Sequence, residues 1–262
     1  MHATVQAIAR EAGELALGHF RRLASLPVES KGHLDLVTQA DRDVERLVTE
    51  RLRAAFPQDG VFGEEGASVA GTSGRIWVVD PIDGTFNFVR GGDQWAVSIG
   101  LYAAGAPAFG VIHAPARGQT LVGGDGLATT LNGVPLPMRA GFNPQRGAVA
   151  VGFHPTIPTR TRLRILRGVI DDLKLSFRCC GSATASLVEL ACGQVDGYIA
   201  CGDSTWDVMA ALPALRRIGI ESSIDWGRTK LAAKLSYACG TPEFLAAAMP
   251  LLARRARTDR RA

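Results

Sequence analysis

Much that would narrow a function is missing from this chain. No stretch approaches the roughly 18 uncharged residues that a membrane helix needs, and the first 20 residues carry Arg10, Glu11 and Glu14 among their apolar positions. Neither an export leader nor a membrane span is expected, and the protein reads as cytoplasmic. The cysteines, Cys179, Cys180, Cys192, Cys201 and Cys239, number 5, an odd count without a Cys-x-x-Cys spacing. That excludes a disulfide framework or a zinc ribbon and fits a reducing compartment. His2, His19, His33, His113 and His154 are scattered, with neither metal-ligand nor Arg-His-Gly spacing. Also absent are a cysteine-phosphatase loop, an internal repeat of fixed period and a Gly-x-Gly-x-x-Gly dinucleotide fingerprint; Gly123-Gly124-Asp125-Gly126 reads as a turn.

What is present suits an enzyme of ordinary size. The 262 residues are 47% hydrophobic and 21% charged, enough to bury a sizeable core as one large domain or two fused lobes. The net charge of +4 fits an anionic substrate, but much of the excess lies in the tail Arg254-Arg255-Ala256-Arg257-Thr258-Asp259-Arg260-Arg261. Without interleaved aromatics that tail reads as a solvated, frayed end, and nucleic-acid binding is not expected.

Val5, Ile8, Ala9, Ala12, Leu15, Ala16 and Phe20 recur at helical spacing and predict an opening helix. Val44, Leu47, Val48 and Leu52 predict a second, stopped by Pro57 and entered through Thr38 and Asp41 at capping-box spacing. Strands are expected at 76–79, 95–102 and 108–113, the last two as a hairpin. From about residue 141 the order becomes helix 159–173, strand 175–178, helix 182–192, strand 197–200 and a helix after Thr205. The Gly/Pro-rich piece 124–144 is the expected boundary between an N-terminal α+β lobe, 1–140, and a C-terminal α/β lobe, 141–262. Layered α/β (α+β) architecture follows.

The chemistry concentrates in Trp77-Val78-Val79-Asp80-Pro81-Ile82-Asp83-Gly84-Thr85-Phe86-Asn87-Phe88, where a buried strand runs into two carboxylates. Buried acids are costly unless something cationic meets them. Pro81 fixes the chain direction and Gly84 allows close backbone approach, so Asp80, the Ile82 carbonyl and Asp83 can turn to one point. Oxygen ligands of that kind suit magnesium. Glu64, in Gly63-Glu64-Glu65-Gly66, and Asp207, behind Trp206, have the same character. Alone, Glu64 reads as an acidic turn and Asp41 and Asp207 as first-turn acids favoured by the helix dipole.

Asp35-Leu36-Val37-Thr38-Gln39-Ala40-Asp41, Gly63-Glu64-Glu65, Asp80-Pro81-Ile82-Asp83-Gly84-Thr85, Gly181-Ser182-Ala183 and Trp206-Asp207, taken in this order, resemble the inositol monophosphatases and their relatives among fructose-bisphosphatases and bisphosphate nucleotidases. The resemblance implies an α-β-α-β-α sandwich, usually homodimeric, and a lithium-sensitive phosphatase acting on a small phosphorylated polyol or sugar-like substrate. It implies two or three magnesium ions per site held by Glu64, Asp80, the Ile82 carbonyl, Asp83 and Asp207. Glu64 and Thr85 would orient the attacking water with Asp41 behind Thr85. Asp83, Gly84, Thr85, Gly181, Ser182, Ala183 and Asp207 would meet the substrate. Such a set fits the reaction, since a phosphate monoester repels hydroxide until its charge is neutralised.

The rival readings are weaker. Aspartyl-phosphate chemistry needs acids two residues apart, and Asp80 and Asp83 are three apart. A mainly regulatory role, for example with RNA-associated machinery, is the non-enzymatic alternative. Histidinol phosphate, fructose bisphosphate and adenosine bisphosphate are the alternative substrates. Where inositol-specific relatives carry a Glu seven residues before the Asp of Trp-Asp, this chain has Ala200, so a broader or shifted specificity is expected; the alternative is that Asp203 or another nearby acid takes over the missing role. After Trp206-Asp207, Arg216-Arg217-Ile218-Gly219-Ile220-Glu221 stands where many relatives carry Ala-Gly-Gly.

Overall fold

The computed structural model describes residues 1–253; the expectation for the tail from Arg254 falls outside the described residues. Helix α1 (His2–Phe20) precedes a hairpin of β1 (Val28–Gly32) and β2 (Asp35–Thr38), which leads directly into α2 (Gln39–Ala55). The start of α2 is the expected capping box: Thr38 Oγ1 accepts the Ala40 amide at 3.1 Å, and Asp41 Oδ2 accepts the Thr38 amide at 2.8 Å.

Next come β3 (Gly60–Gly63), β4 (Ser68–Val69), β5 (Ile76–Asp83), the short helix α3 (Thr85–Val89), β6 (Ala96–Ala103), β7 (Ala106–Ala114), β8 (Gln119–Gly124), β9 (Leu127–Leu131) and β10 (Val134–Pro135). They form an eight-stranded sheet in the order β10-β9-β8-β7-β6-β5-β3-β4, antiparallel except where β3 runs parallel to β5. The β6–β7 hairpin turns on Ala104 and Gly105, both at positive φ, which matches the strands' twist. The piece 124–144 is not all linker. Gly123 and Gly124 close β8 inside the sheet, the turn is confined to Asp125-Gly126, and β9 and β10 follow, so the chain crosses between sheets only over 136–147.

The second sheet combines β11 (Ala148–Phe153), α4 (Thr159–Arg167), β12 (Ser176–Arg178), α5 (Ala183–Cys192), β13 (Gly197–Ser204), α6 (Thr205–Met209), α7 (Ala211–Arg216), β14 (Glu221–Ser222), β15 (Lys234–Gly240) and α8 (Pro242–Ala253). Its order is β12-β11-β13-β15-β14. The helix expected over 159–173 is regular only to Arg167 and widens into a π-helical turn at Gly168–Asp172, which starts on a glycine, a poor α-helix former.

Three buried clusters make five layers. Val5, Ile8, Val44 and Val48 of α1 and α2 pack on Trp77, Val79 and Ile99 of the large sheet. Leu187 and Val188 of α5 and Ala211 and Leu215 of α7 fill the space between the sheets, against Ile112, Leu121, Tyr198 and Tyr237. Ile165 of α4 and Phe244, Ala248 and Leu251 of α8 cover the outer face of the small sheet. This is the α-β-α-β-α sandwich, and among the described residues no helix is long and apolar enough to cross a membrane.

The contact between the large sheet and α6–α7 is unusually close. Gly100, Gly110 and Gly123 stand opposite one another on β6, β7 and β8. A Cβ on Gly110 would lie 2.0 Å from the Ala210 carbonyl oxygen, and one on Gly100 would lie 2.6 Å from the Met209 backbone. Helix backbone therefore rests directly on sheet backbone along this row.

Candidate active site

Asp80 and Asp83 are three residues apart, so a regular strand would aim them at opposite faces. Strand β5 avoids this with a bulge: Asp80 faces Ser98 and Asp83 faces Ala96, three steps on one strand against two on the other. Gly84 then turns the chain at φ +92, where an added Cβ would lie 2.6 Å from the Gln94 carbonyl oxygen. Across the inter-sheet layer, Asp207 sits in the first turn of α6 and its Oδ2 accepts the Ser204 amide at 2.7 Å. Carboxylate oxygens of Asp80, Asp83 and Asp207 all lie within 4.8 Å of one another.

The protein prepares these acids without neutralising them. Asp83 Oδ2 accepts the Ser182 hydroxyl at 2.7 Å, the Thr184 amide at 2.6 Å and the Thr184 hydroxyl. Asp80 is 1% exposed, and its Oδ1 is buried with no hydrogen-bond partner. Burial, and then Glu64, Asp83 and Asp207, hold the Asp80 carboxyl well above its usual value; burial, and then Asp203 and Asp83, do the same to Asp207. Three converging carboxylates and an orphaned buried oxygen are a donor set that fits a hard dication with oxygen preference.

Glu64 stands beside this trio rather than within it. It follows β3, close enough to Asp80 to hydrogen-bond, and its Oε1 is 3.4 Å from Lys31 Nζ, which also binds Glu65 Oε1 at 2.6 Å. Burial raises Glu64 to about 7, against the pull of Lys31. Thr85 Oγ1 lies 3.0 Å from both Asp41 Oδ1 and the Ile82 carbonyl oxygen. Asp41 is thus both things expected of it: a first-turn cap through Oδ2 and the group behind Thr85 through Oδ1.

Beside the acids opens a cleft lined by Asp83, Asp207, Ser182, His154, Tyr198 and Asp203 among others. Gly181, Ser182 and Ala183, expected to meet the substrate, line it, and the Ser182 hydroxyl is already engaged: it donates to Asp83 and caps α5 by accepting the Ala185 amide at 3.1 Å. Ala200 is fully buried between the sheets, outside this lining.

Several residues were not found from the sequence. Glu45, 6% exposed on α2, accepts the amides of Glu65 at 2.8 Å and Ala67 at 2.9 Å and so shapes the Glu64 turn. Asn87 Nδ2 donates to the carbonyls of Gln94 and Cys180, tying α3 to the segment before Ser182. Lys31 and Thr184 complete the group. Asn87, inside the Trp77-to-Phe88 run, and Thr184, next to Gly181-Ser182-Ala183, stood near a signal.

A model of the inositol monophosphatase family matches residues 1–256. The chain belongs to that family. It is 32% identical over 214 residues to the Nus factor SuhB of Xylella fastidiosa, covering 80% of this chain and 77% of that protein. It is 33% identical over 245 residues to the inositol-1-monophosphatase of Rhizobium meliloti, covering 92% and 91%. The solved structure of the extragenic suppressor protein suhB from Bartonella henselae superposes with a TM-score of 0.87 at 26% identity, covering 95% and 97%.

Proposed function

We propose that this protein hydrolyses a small phosphate monoester with magnesium, by direct attack of water and without a phosphoenzyme. The observation that carries the reading is the buried trio Asp80, Asp83 and Asp207 with the unpartnered Asp80 Oδ1. Asp80, Asp83, Asp207, Glu64 and the Ile82 carbonyl would hold two or three magnesium ions. Magnesium bound there supplies positive charge to the phosphate and the leaving alkoxide and acidifies a water.

The chain's own groups supply the positioning. Thr85 gives its proton to Asp41 or to the Ile82 carbonyl, so its oxygen is left to accept a hydrogen from the attacking water. Glu64, raised to about 7, is suited to take a proton near neutral pH. The backbone of Gly84 and Thr85 meets the phosphate, and the Gly181-Ser182-Ala183 segment faces the alcohol portion across the cleft. Lithium inhibition, a homodimer and a cytoplasmic location belong to the same reading.

Phosphate release from a panel of monoesters, with and without magnesium, tests it. Metal-independent turnover, or a trapped phosphorylated side chain, would overturn it. The similarity to a Nus factor favours one second reading, a regulatory role exerted by binding rather than turnover; a folded protein that releases no phosphate from any ester would favour that reading instead.

A further inference from the structure

On the far side of the cleft from β5, strand β13 carries a second bulge. Cys201 faces Ser236 on β15 and Asp203 faces Leu235, so Gly202 is an extra residue, and it sits at φ +97. Tyr198 and Asp203, five apart, would face opposite sides of a regular strand. Here the Tyr198 hydroxyl donates to Asp203 Oδ2 at 3.0 Å, and the Tyr237 hydroxyl from β15 donates to the same oxygen at 3.2 Å. The Tyr198 hydroxyl is itself held in place, filling the space over Gly152 only 2.1 Å from where a Cβ would stand. Both bonds land on Oδ2; among the described residues none reaches Oδ1, and Asp203 lines the cleft with Asp83 and Asp207.

Burial raises the Asp203 carboxyl to about 7, against the tyrosine bonds and a pull from Lys234 that stops short of an ion pair. No ion pair reaches it among the described residues. Lys234 gives its ammonium to Ser204 Oγ at 2.7 Å and lies 5.8 Å from the centre of the Trp206 ring. His154, in the same cleft, is held below the usual imidazole value by burial and by Lys234, so it stays neutral near neutral pH. A buried carboxylate without a direct ion pair carries a desolvation cost that an incoming positive group offsets. A neutral hydroxyl would satisfy the hydrogen bond but not the charge.

We propose that Asp203 is a specificity-determining residue that receives an ammonium group on the alcohol portion of the substrate, which makes phosphate monoesters of amino alcohols, rather than of neutral polyols, the preferred class. The inference rests on the phosphatase reading above and names the substrate class of that same site. Asp203 takes the place of the acceptor that Ala200 does not provide, from a position fixed by the bulge at Gly202.

The test compares 2-aminopropyl phosphate with propane-1,2-diol 1-phosphate, which differ by ammonium against hydroxyl. The wild type is expected to favour the amine in kcat/KM by about tenfold or more, and Asp203→Asn, which can still accept both tyrosine hydroxyls, to lose about that factor. Tyr237→Phe, which releases one hold on Oδ2, should narrow the ratio partway and answers the question if the Asn variant fails to fold. Calorimetric binding of 2-amino-1-propanol against propane-1,2-diol reads the subsite without turnover. If no ester is hydrolysed, the phosphatase reading fails, while amine binding that depends on Asp203 would still support the subsite. A wild type that prefers the diol phosphate, or an amine preference unchanged in Asp203→Asn, would overturn the proposal.

Discussion

Strands β5 and β13 each carry a bulge beside the same cleft, and they use it on different materials. The β5 bulge gathers acids that lie in one short segment, Asp80 and Asp83, and aims them at Asp207 from the other side of the layer. The β13 bulge turns a single acid, Asp203, against two tyrosines, one of them from a neighbouring strand. One side of the cleft gathers several buried carboxylates; the other fixes the direction of a single one, which still acts on Asp207. The first arrangement suits a dication and a phosphate, the second a donor on the leaving group. On the proposed reading, reaction and specificity are carried by separate strands, coupled through the repulsion between Asp203 and Asp207.

Breaking the β5 side should have the largest effect. In Asp83→Asn the amide oxygen can keep the three donors from Ser182 and Thr184, while the other oxygen becomes NH2 and the charge beside Asp80 and Asp207 is lost. Magnesium-dependent turnover should fall by about 10³-fold, since several kcal/mol of charge stabilisation is lost. A titration of activity against magnesium, beside an unchanged melting curve, checks this; full turnover at ordinary magnesium would refute it.

Thr85→Ala removes the oxygen between Asp41 and the expected water and should cost about 10²-fold in kcat. KM for the ester should move little, because only positioning of the attacking group is lost, and steady-state kinetics separates the two constants. Thr184→Val probes a subtler support. It deletes one of the three bonds that orient Asp83, so the apparent magnesium affinity should weaken by about tenfold. Saturating magnesium should then restore turnover, which distinguishes it from Asp83→Asn.

The smallest effect expected is on stability. In the metal-free protein Glu64 stands at about 7 against an ordinary 4.5, and Asp80 and Asp207 are raised as well. The folded state therefore keeps protons that the unfolded chain has released, and stability falls as pH rises through that window. Melting temperature in a chelator should drop by several degrees from about pH 5 to about pH 8, and magnesium should recover more of it at the higher pH. A metal-free protein that grew steadily more stable over that range would contradict the picture of acids buried against one another.

The same contrast governs how much could be read from sequence. The amphipathic periods of α1 and α2 and the Asp80-to-Phe88 run are local signals, and a local signal survives without a structure. Asp41 and Asp207 were legible because each is a first-turn acid, and the fold brings Asp41 to Thr85 and Asp207 to Asp80 and Asp83. Glu45 and Lys31 left no trace, since each acts on a turn 20 or more positions away. Asp203 could be named only as a substitute for the acceptor missing at Ala200; the tyrosines that aim it were invisible, because the extra residue at Gly202 reverses the alternation by which a strand is read. The extent of the large sheet was hidden for another reason. Gly123 reads as turn chemistry, yet it serves close approach: a Cβ there would meet that of Ala214 at 2.6 Å.

The glycine row under α6 and α7 sets the tolerance of the whole centre. Asp207 rides on α6, while Asp80 and Asp83 belong to the sheet, so the gap between them is the gap between two layers. Had that gap been filled by side chains, it would breathe with their rotamers. With Gly100 and Gly110 it is a hard stop, main chain against main chain, and on the proposed reading coordination that must hold to about 0.5 Å would be gauged from that contact. The dimension on which the carboxylates depend is therefore fixed by atoms that are not there, on β6 and β7, strands that contribute none of the acids.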